Sequence, residues 1–320
     1  MTRKHRANNP ADASVTSSDG QDHRSPLLAG DDYPRVGLAL SGGVAKVVAH
    51  IGILHALTEA SIPIHAIAAT SGGAIVGAFF AAGKTPQEMQ RLAREISWKK
   101  LTRVTIPRLG LLSNERMEKF VTDRLGDPTF EDLKIPLAVV GADLTTGKKI
   151  VFTTGRIGPP IRASCSIPQV FTPVSIRGNL VVDGGLVEYL PIQTLAEMGC
   201  DVLIGVNLGA VHNWHAKDPR NFFEVALRVI GFVSQRNAAI SEHYADHVIR
   251  PDLSAFGPYD LDRAEELVRI GYETGKQAVP AILAIIQEKV ADRIDDHDWG
   301  RMVRWFRNHS PLQLFGKKET

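Results

Sequence analysis

The sequence has few of the features that several classes of protein require. Only two of its 320 residues are cysteines, Cys165 and Cys200, which excludes a disulfide framework and favours reduced thiols in a cytosolic protein. A formal net charge of +2 gives no electrostatic reason to expect a nucleic-acid partner. Hydrophobic residues make up 44% and charged residues 22%, so a chain that is disordered throughout is also excluded. The composition indicates a globular protein of the cytoplasm.

The sequence also gives no sign of a secretory signal or a true membrane span. Residues 1–33 are mostly polar, and no apolar run follows Arg3, Lys4 and Arg6, so we expect a disordered tail rather than a signal peptide. The segment 64–83 is apolar enough to resemble a transmembrane helix by length alone. Its internal glycines indicate instead a strand followed by a helix. We therefore predict no transmembrane helix.

Strand patterns alternate with helix patterns between residues 34 and 208. Buried-strand runs occupy 35–40, 62–70, 136–144 and 201–208, and helical spacing of apolar residues follows the first two of them. Residues 174–176 and 180–182 flank an Arg-Gly-Asn turn, which is typical of a hairpin. The alternation predicts an α/β fold with a mainly parallel central sheet flanked by helices, to which the hairpin adds antiparallel strands.

The chain divides into four predicted segments. A disordered tail (1–33) precedes the α/β core (34–210), a helical part packed on the core (211–298) follows, and a basic-aromatic tail (299–320) ends the chain. Within the helical part we expect Pro280 to interrupt a long helix. Residues 98–112 are basic and contain proline, which favours a solvated connecting loop over a lid or a lipid contact.

Ser71 is the first candidate for chemistry. It lies between an apolar strand pattern and an Ala/Gly-rich helix pattern, with Ala69 and Gly73 two residues away on either side. A serine among such small neighbours at a strand-to-helix turn is typical of a nucleophile elbow, which lifts the hydroxyl above the sheet at the N-terminus of the following helix. Ser71 is therefore the predicted nucleophile.

A glycine loop after the first strand is the second candidate. Gly42 and Gly43 lead from that strand into a helix pattern, so several N–H groups point into one space that can hold an anion. The spacing of a dinucleotide fingerprint is missing, and Lys46 lacks the neighbours that a P-loop lysine has. We therefore predict an oxyanion hole at this loop, with donors from Gly43, Val44 and Ala45.

Asp183 is the third candidate. It ends the second strand of the hairpin and precedes Gly184 and Gly185, which leave room for a substrate. A serine hydroxyl needs a base to take its proton before it attacks an ester carbonyl. Asp183 is the predicted base, although Asp-Gly is also common in ordinary turns.

These pieces together resemble the patatin-like phospholipase family, which includes bacterial and neuropathy-target-esterase-like members. The resemblance spans about residues 35–210. The matching stretches are the loop and helix of residues 42–54 with Lys46, His50 and Gly52, the elbow of residues 70–73, the segment 163–173, and Val182-Asp183-Gly184-Gly185 with Pro191.

The resemblance implies a function as well as a fold. It implies a three-layer α/β fold, a Ser71–Asp183 dyad that works without a catalytic histidine, and hydrolysis of lipid acyl esters with no metal or other cofactor. The lipid ester is then the expected partner, with peripheral contact to a membrane. Lys46 matches the basic residue of the family's glycine-rich segment, where it either orients an anionic head group or forms a salt bridge.

Three positions depart from the family pattern. Ala69 replaces the first glycine of the elbow, and Val44 and Val47 stand where the family usually has glycine. Valine has less backbone freedom than glycine, so the amides of the oxyanion segment are restricted. These departures leave open a protein that has the fold but turns over little substrate.

Two other interpretations remain open. An α/β-hydrolase with a Ser–Asp–His triad would draw its base from His212, His215, His243 or His247, while His50 is expected to be structural. A membrane-surface or regulatory protein without catalysis would use residues 299–320, which combine five Lys and Arg residues of residues 301–318 with aromatic side chains. The sequence predicts no oligomeric state.

Overall fold

The computed structural model describes residues 33–104, 109–209, 218–219 and 221–308. The strands are β1 (Val36–Leu40), β2 (Ala66–Thr70), β3 (Arg103–Val104), β4 (Gly110–Ser113), β5 (Leu137–Asp143), β6 (Lys149–Phe152), β7 (Gln169–Phe171), β8 (Val174–Ile176), β9 (Asn179–Asp183), β10 (Val202–Val206) and β11 (His247–Ile249). The helices are α1 (Ala49–Glu59), α2 (Gly72–Ala81), α3 (Pro86–Arg94), α4 (Trp98–Leu101), α5 (Glu115–Leu125), α6 (Gly158–Ser164), α7 (Ile192–Glu197), α8 (Phe222–Glu242) and α9 (Ala264–Asn308).

The central sheet has eight strands in the order β11-β10-β1-β2-β5-β9-β8, with β6 paired to β5. The pairings from β11 to β5 are all parallel, whereas β6, β9 and β8 join in antiparallel fashion. The mainly parallel α/β sheet and the 174–182 hairpin are therefore confirmed. The hairpin turns through Arg177 and Gly178, which both have positive φ, as a tight two-residue turn requires.

Helices cover the sheet on both faces. Side chains of β1, β2, β5 and β10 pack on one face against α1, α2, α3 and α9 in the larger core. The other face presents mainly alanines of β1, β2 and β5, which pack against α7 and Ala238 of α8. Small side chains on this face let the covering helices approach closely. This arrangement confirms the predicted three layers.

Helices α1 and α9 cross at almost direct backbone contact. A Cβ on Gly52 would lie 1.9 Å from the carbonyl oxygen of Val268, and one on Gly271 would lie 2.0 Å from that of Ala49. Glycine is therefore required on both helices at this crossing, which attaches the C-terminal helix to the core.

The segment 64–83 contains no single long helix. Strand β2 and the ten-residue helix α2 divide it at Ser71. Among the residues that the structure describes, no helix is both long and apolar enough to cross a membrane.

The expectation of a connecting loop over residues 98–112 is wrong for the described residues of that segment. They contain α4, β3 and β4, and β4 pairs in parallel with β7 in a second sheet of order β3-β4-β7. The partner strand lies about sixty residues further along, so local periodicity does not report this pairing. Arg108 lies outside the described residues.

Pro280 does not interrupt the last helix, because α9 runs continuously through it. The ring faces solvent, while Ala278 and Ile282 on either side are buried. On the solvent side of a long helix a carbonyl that loses its N–H partner is hydrated, so the helix continues. The helix also extends past residue 298 to Asn308, and the remainder of the 299–320 segment lies outside the described residues.

Candidate active site

The central sheet brings residues 71 and 183 together at the carboxyl end of β2. Strand β5 pairs with β2 up to Thr70, which lies opposite Val140. One residue further along β5, Gly141 pairs with Asp183 at the end of β9. Because β6 occupies the other edge of this part of β5, β9 takes the edge that becomes free where β2 ends. Ser71 and Asp183 therefore meet although they are far apart in sequence.

Ser71 stands at a sharp turn between β2 and α2. Its φ of 54° and ψ of −132° belong to a region that residues other than glycine rarely adopt. A Cβ on Gly73 would lie 2.5 Å from the carbonyl oxygen of Ser41, so the turn leaves no room there for a side chain. The methyl group of Ala69 is accommodated because it faces Gly77 of α2. The turn has the geometry of a nucleophile elbow.

A short hydrogen bond joins the two side chains. The Ser71 hydroxyl donates to Asp183 Oδ2 at 2.7 Å, and the N–H of Gly185 donates to Asp183 Oδ1 at 2.8 Å. Asp183 is only 3% exposed. The next residue must be glycine, since a Cβ on Gly184 would lie 2.2 Å from the carbonyl oxygen of Val140.

Burial makes Asp183 a stronger base than an ordinary aspartate. Loss of solvation raises the pKa of its carboxyl to about 6, and the hydrogen bonds from Ser71 and Gly185 limit the rise. A carboxyl with this pKa is still mostly ionised at neutral pH and is better matched to a proton-transfer role. Chemically, the pair can transfer the Ser71 hydroxyl proton to Asp183 as Oγ attacks an electrophile.

The same pKa shift predicts a pH-dependent stability. Asp183 has a pKa of about 6 when folded and an ordinary value of 3.8 when exposed, so between these values the native state holds a proton that the unfolded chain has lost. The free energy of unfolding should therefore fall by up to about 3 kcal/mol from this group as pH rises from 4 to above 6. Asp183→Asn should remove this part of the pH dependence. Denaturant unfolding of both proteins from pH 4 to 8 measures it, and parallel curves would contradict it.

Ser164 holds the elbow to the sheet, a role that the sequence analysis missed. Its buried hydroxyl accepts the N–H of Ser71 at 2.7 Å and donates to the carbonyl oxygen of Val140 at 2.6 Å. Ser164 lies at the end of α6, in the segment 163–173 that resembles the family. The resemblance assigned no role to this serine. A signal was present, since a small hydroxyl residue follows an apolar helix pattern, but its partner lies 93 residues away.

Ser164→Ala should destabilise the elbow without touching the reacting atoms. The substitution leaves the buried N–H of Ser71 without its acceptor, which costs roughly 1–3 kcal/mol. We expect this loss in the free energy of unfolding, whereas Ser175→Ala, at an exposed serine of β8, should change it by less than about 0.5 kcal/mol. Equal stability of the two variants would show that the bond to Ser71 contributes little.

The glycine loop presents free N–H groups beside Ser71. Gly43 has φ 155° and Val44 has φ 52°, so Val44 adopts a conformation that a β-branched residue rarely takes. Among the described residues, no acceptor meets the N–H of Gly42, Gly43 or Val44. The N–H of Ala45 instead donates to the carbonyl oxygen of Pro258 at 3.3 Å. The N–H of Ala45, which the sequence predicted as an oxyanion donor, is therefore already engaged by an acceptor within the protein.

Tyr189 fixes this loop from the opposite side, and its role was also missed. Its hydroxyl donates to the carbonyl oxygen of Gly42 at 2.9 Å, and Ser41 Oγ donates to the same oxygen at 3.1 Å. Because this carbonyl is held by two donors, the N–H groups that follow it in the loop keep a fixed orientation. Val47, the other departure in this segment, packs against Gly72.

His50 and Lys46 are both buried near the loop. Nε2 of His50 lies 2.9 Å from the carbonyl oxygen of Ser41, and burial lowers the pKa of this histidine to about 4, which keeps it neutral. Burial also lowers the pKa of Lys46, and the carboxylates of Asp252 and Asp260 partly offset this effect. Lys46 forms no ion pair within 4 Å among the described residues, so its ammonium is available to an anion in the adjoining cavity.

The described late histidines lie away from Asp183. His243 follows α8 and its Nδ1 contacts the carbonyl oxygen of Ala239. His247 lies in β11, three strands from β2, which corresponds to about 14 Å across the sheet. His212 and His215 lie outside the described residues.

Two cavities meet at Ser71. The first has a volume of about 870 Å³ including its open mouth, and its lining is apolar apart from the serine. Its walls come mainly from α2, α3 and α5 and include Ile75, Phe79, Met89, Leu92, Met117 and Phe120. Phe79 lies about two helical turns, or roughly 11 Å, beyond Ser71 along α2, and its ring centroid is 6.0 Å from that of Phe120. The cavity is therefore a deep apolar slot.

The second cavity is smaller and more polar. It has a volume of about 560 Å³, and its walls include Gly43, Lys46, Asp183, Tyr189 and Ser234. Gly42 and Gly43 of the glycine loop line this cavity, and Val44 lines both cavities. Within the residues that the structure describes, no three His, Cys, Asp or Glu side chains are grouped so that they could hold a metal ion.

The sequence is similar to a known protein family and to several known proteins. Residues 38–196 match the family model described as patatin-like phospholipase. An uncharacterized NTE family protein of Mycobacterium tuberculosis is 36% identical over 194 residues, which cover 60% of this chain and 54% of that protein. Lysophospholipase NTE1 of Coccidioides immitis is 26% identical over 273 residues, which cover 76% of this chain and 17% of that protein.

The chain thus spans about half the length of the mycobacterial relative and a smaller share of the fungal one. Among solved structures, VipD from Legionella pneumophila matches with a TM-score of 0.44 and 14% identity, over 77% of this chain and 67% of that one. The family match covers β1, the glycine loop, the elbow and the Asp183 turn, which together build the site described above. Through residues 38–196, the chain therefore belongs to the patatin-like phospholipase family.

Proposed function

We propose that this protein hydrolyses acyl esters of lipids, as a phospholipase A or lysophospholipase does, with Ser71 as nucleophile and Asp183 as base. One observation carries the proposal: the hydroxyl of a serine in a strained elbow donates at 2.7 Å to a buried carboxylate whose pKa is raised to about 6. A serine held in this way is primed for acyl transfer. No metal or other cofactor takes part in the proposed reaction.

The reaction proceeds in two half-reactions. Asp183 accepts the hydroxyl proton as Ser71 Oγ attacks the ester carbonyl carbon, and the N–H groups of Gly43 and Val44 donate to the oxyanion that forms. The alcohol leaves with the proton from Asp183, and the acyl group remains on Ser71. Asp183 then takes a proton from water, which attacks the acyl-enzyme carbonyl carbon. As the bond to Ser71 Oγ breaks, Asp183 returns that proton to Oγ and the fatty acid is released.

The cavities support a lipid substrate with a polar head. The apolar slot beside α2 suits an acyl chain, because burial of each methylene contributes about 0.8 kcal/mol. The second cavity holds Lys46, which in this proposal binds an anionic head group. The named relatives include lysophospholipases, which agrees with a single acyl chain in one slot. The protein would act in the cytoplasm, with peripheral access to a membrane.

Release of fatty acid from lysophosphatidylcholine tests the proposal. We expect turnover by the wild type and by His243→Ala and His247→Ala, and none by Ser71→Ala. Loss of turnover on replacement of one of the histidines His212, His215, His243 or His247 would favour the triad instead. A folded wild type without turnover on lysophospholipids, phospholipids or simple esters would favour the fold-only alternative.

A further inference from the structure

Helix α8 is apolar on the face that it turns to solvent. Phe222 is 60% exposed, Val229 54%, Phe232 56% and Ile240 57%, and Val225 and Val233 are also exposed. At 100° per residue these side chains fall within an arc of about 100° on one side of the helix. Exposed apolar side chains grouped on one face are typical of an interaction site. We call this arc the outer face of α8.

The opposite face of α8 packs on the rest of the domain. Ala226, Leu227, Ser234 and Ala238 are buried against the protein. A helix that is apolar on both sides normally has a cover on both. The outer face is thus a candidate contact surface in addition to the face that packs on the domain.

The buried face of α8 also lines the candidate active site. Leu227, Ile230, Gly231 and Ser234 form one wall of the cavity that contains Ser71 and Asp183. Only the thickness of one helix, about 10 Å, separates the outer face from that cavity. A partner bound to the outer face of α8 would therefore lie next to the candidate active site.

The charge on this face is positive. Arg236 lies within the arc, is exposed, and forms no ion pair among the described residues. The two carboxylates of the helix are engaged elsewhere, since Glu224 interacts with Asn221 at the first turn and Glu242 pairs with Arg250. The outer face thus offers apolar side chains and an unpaired cation.

A second exposed element, β3, lies in the small sheet whose strand β7 contacts α8. Strand β3 exposes Arg103 and Val104, and Leu109 next to β4 is also exposed, whereas Arg103 pairs with Glu115 at 3.5 Å. Strand β4 pairs with β7, and Phe171 of β7 packs against Leu227 of α8. The small sheet therefore adds two exposed apolar side chains, Val104 and Leu109, to those of α8.

We propose that the outer face of α8, together with the exposed Val104 and Leu109, docks on the surface of an anionic lipid bilayer. Apolar side chains enter the interface while Arg236 pairs with a lipid phosphate. A second copy of the chain fits less well, because pairing two such faces buries Arg236 where the face offers no carboxylate. The inference rests on the proposed lipid substrate, since the bilayer would supply it at the cavity mouth.

Vesicle sedimentation of the full chain tests this surface. Ser71→Ala provides the background, so that hydrolysis does not alter the vesicles, which contain phosphatidylcholine alone or mixed with phosphatidylserine. We expect binding to the anionic vesicles that weakens as salt increases. Phe232→Ser with Arg236→Glu should weaken it by about tenfold or more. Arg269→Glu, at an exposed position of α9, is the charge-matched control and should weaken it by less.

Several outcomes would overturn the surface assignment. Absence of binding would do so, as would equal binding by the α8 variant and the Arg269→Glu control. Binding lost only on deletion of residues 299–320 would place the contact on the tail. A dimer in light scattering that Phe232→Ser converts to a monomer, without vesicle binding, would make the face a self-interface. Hydrolysis of a soluble ester by the wild type without vesicle binding would reject the surface and leave the proposed function standing.

Discussion

Ser71→Ala should reduce ester hydrolysis by at least about four orders of magnitude in kcat, because it removes the atom to which the acyl group is transferred. Asp183→Asn should lower kcat by about 10²- to 10⁴-fold, since the hydroxyl keeps its place but loses its base. The double variant should be no slower than Ser71→Ala alone, because both residues act in the same step.

The measurement is kcat and KM on a soluble p-nitrophenyl ester, with folding checked by denaturant unfolding. Ser175→Ala is the matched serine control and should keep wild-type kcat. A Ser71→Ala protein that retains more than about one hundredth of the wild-type kcat would assign the hydrolysis to another residue.

The pH profile gives an independent test of Asp183 as the base. The carboxyl must be ionised to accept the Ser71 proton, and its pKa is raised to about 6 by burial. The ratio kcat/KM should therefore rise about tenfold per pH unit below 6 and reach a plateau above it. A plateau that extends down to pH 4 would show that the base has an ordinary carboxylate pKa.

Gly52→Ala should cost about 3 kcal/mol or more in the free energy of unfolding, a large effect for one methyl group. The added Cβ would lie 1.9 Å from the carbonyl oxygen of Val268 and 2.5 Å from the nitrogen of Tyr272. Both are backbone atoms of α9, so no side-chain rotation can relieve the contact and the helices must separate. Gly271→Ala should behave alike, since its Cβ would lie 2.0 Å from the carbonyl oxygen of Ala49.

Gly77→Ala in α2 is the control, because its Cβ would meet only side-chain atoms, the nearest at 3.3 Å. Alanine gains up to about 1 kcal/mol over glycine in helix propensity, which offsets the cost of these close side-chain contacts. The net change in the free energy of unfolding should therefore be small. The double variant of Gly52 and Gly271 should cost less than the two single costs together, because one separation of α1 from α9 relieves both contacts. A Gly52→Ala protein within 1 kcal/mol of wild type would contradict the close crossing.

The parts of the fold that local patterns encode were predictable from the sequence. The buried runs of β1, β2, β5 and β10 and the glycines beside Ser71 each depend on neighbours in the chain. Those patterns also identified Ser71 and Asp183 as candidates, since each residue follows a strand and precedes glycines. The structure adds the pairing of β9 with β5 at the end of β2, which explains why the two side chains meet.

The missed features depend on contacts between distant residues. Ser164 acts through Ser71 and Val140, and Ala45 donates to Pro258, more than two hundred residues later. Neither contact leaves a periodic signal. The small sheet of β3, β4 and β7 was missed for the same reason, and Gly52 was recognised only as part of a family motif until its contact with α9 gave it a physical role.

Labelling with a fluorophosphonate, followed by mass spectrometry of the peptides, tests directly whether Ser71 is an activated nucleophile. The reagent forms a covalent bond to an activated serine and needs no knowledge of the natural lipid. We expect one adduct, on the peptide that contains Ser71, with a labelling rate that falls sharply in Asp183→Asn. Absence of an adduct on folded wild-type protein, or an adduct on a different serine, would contradict it.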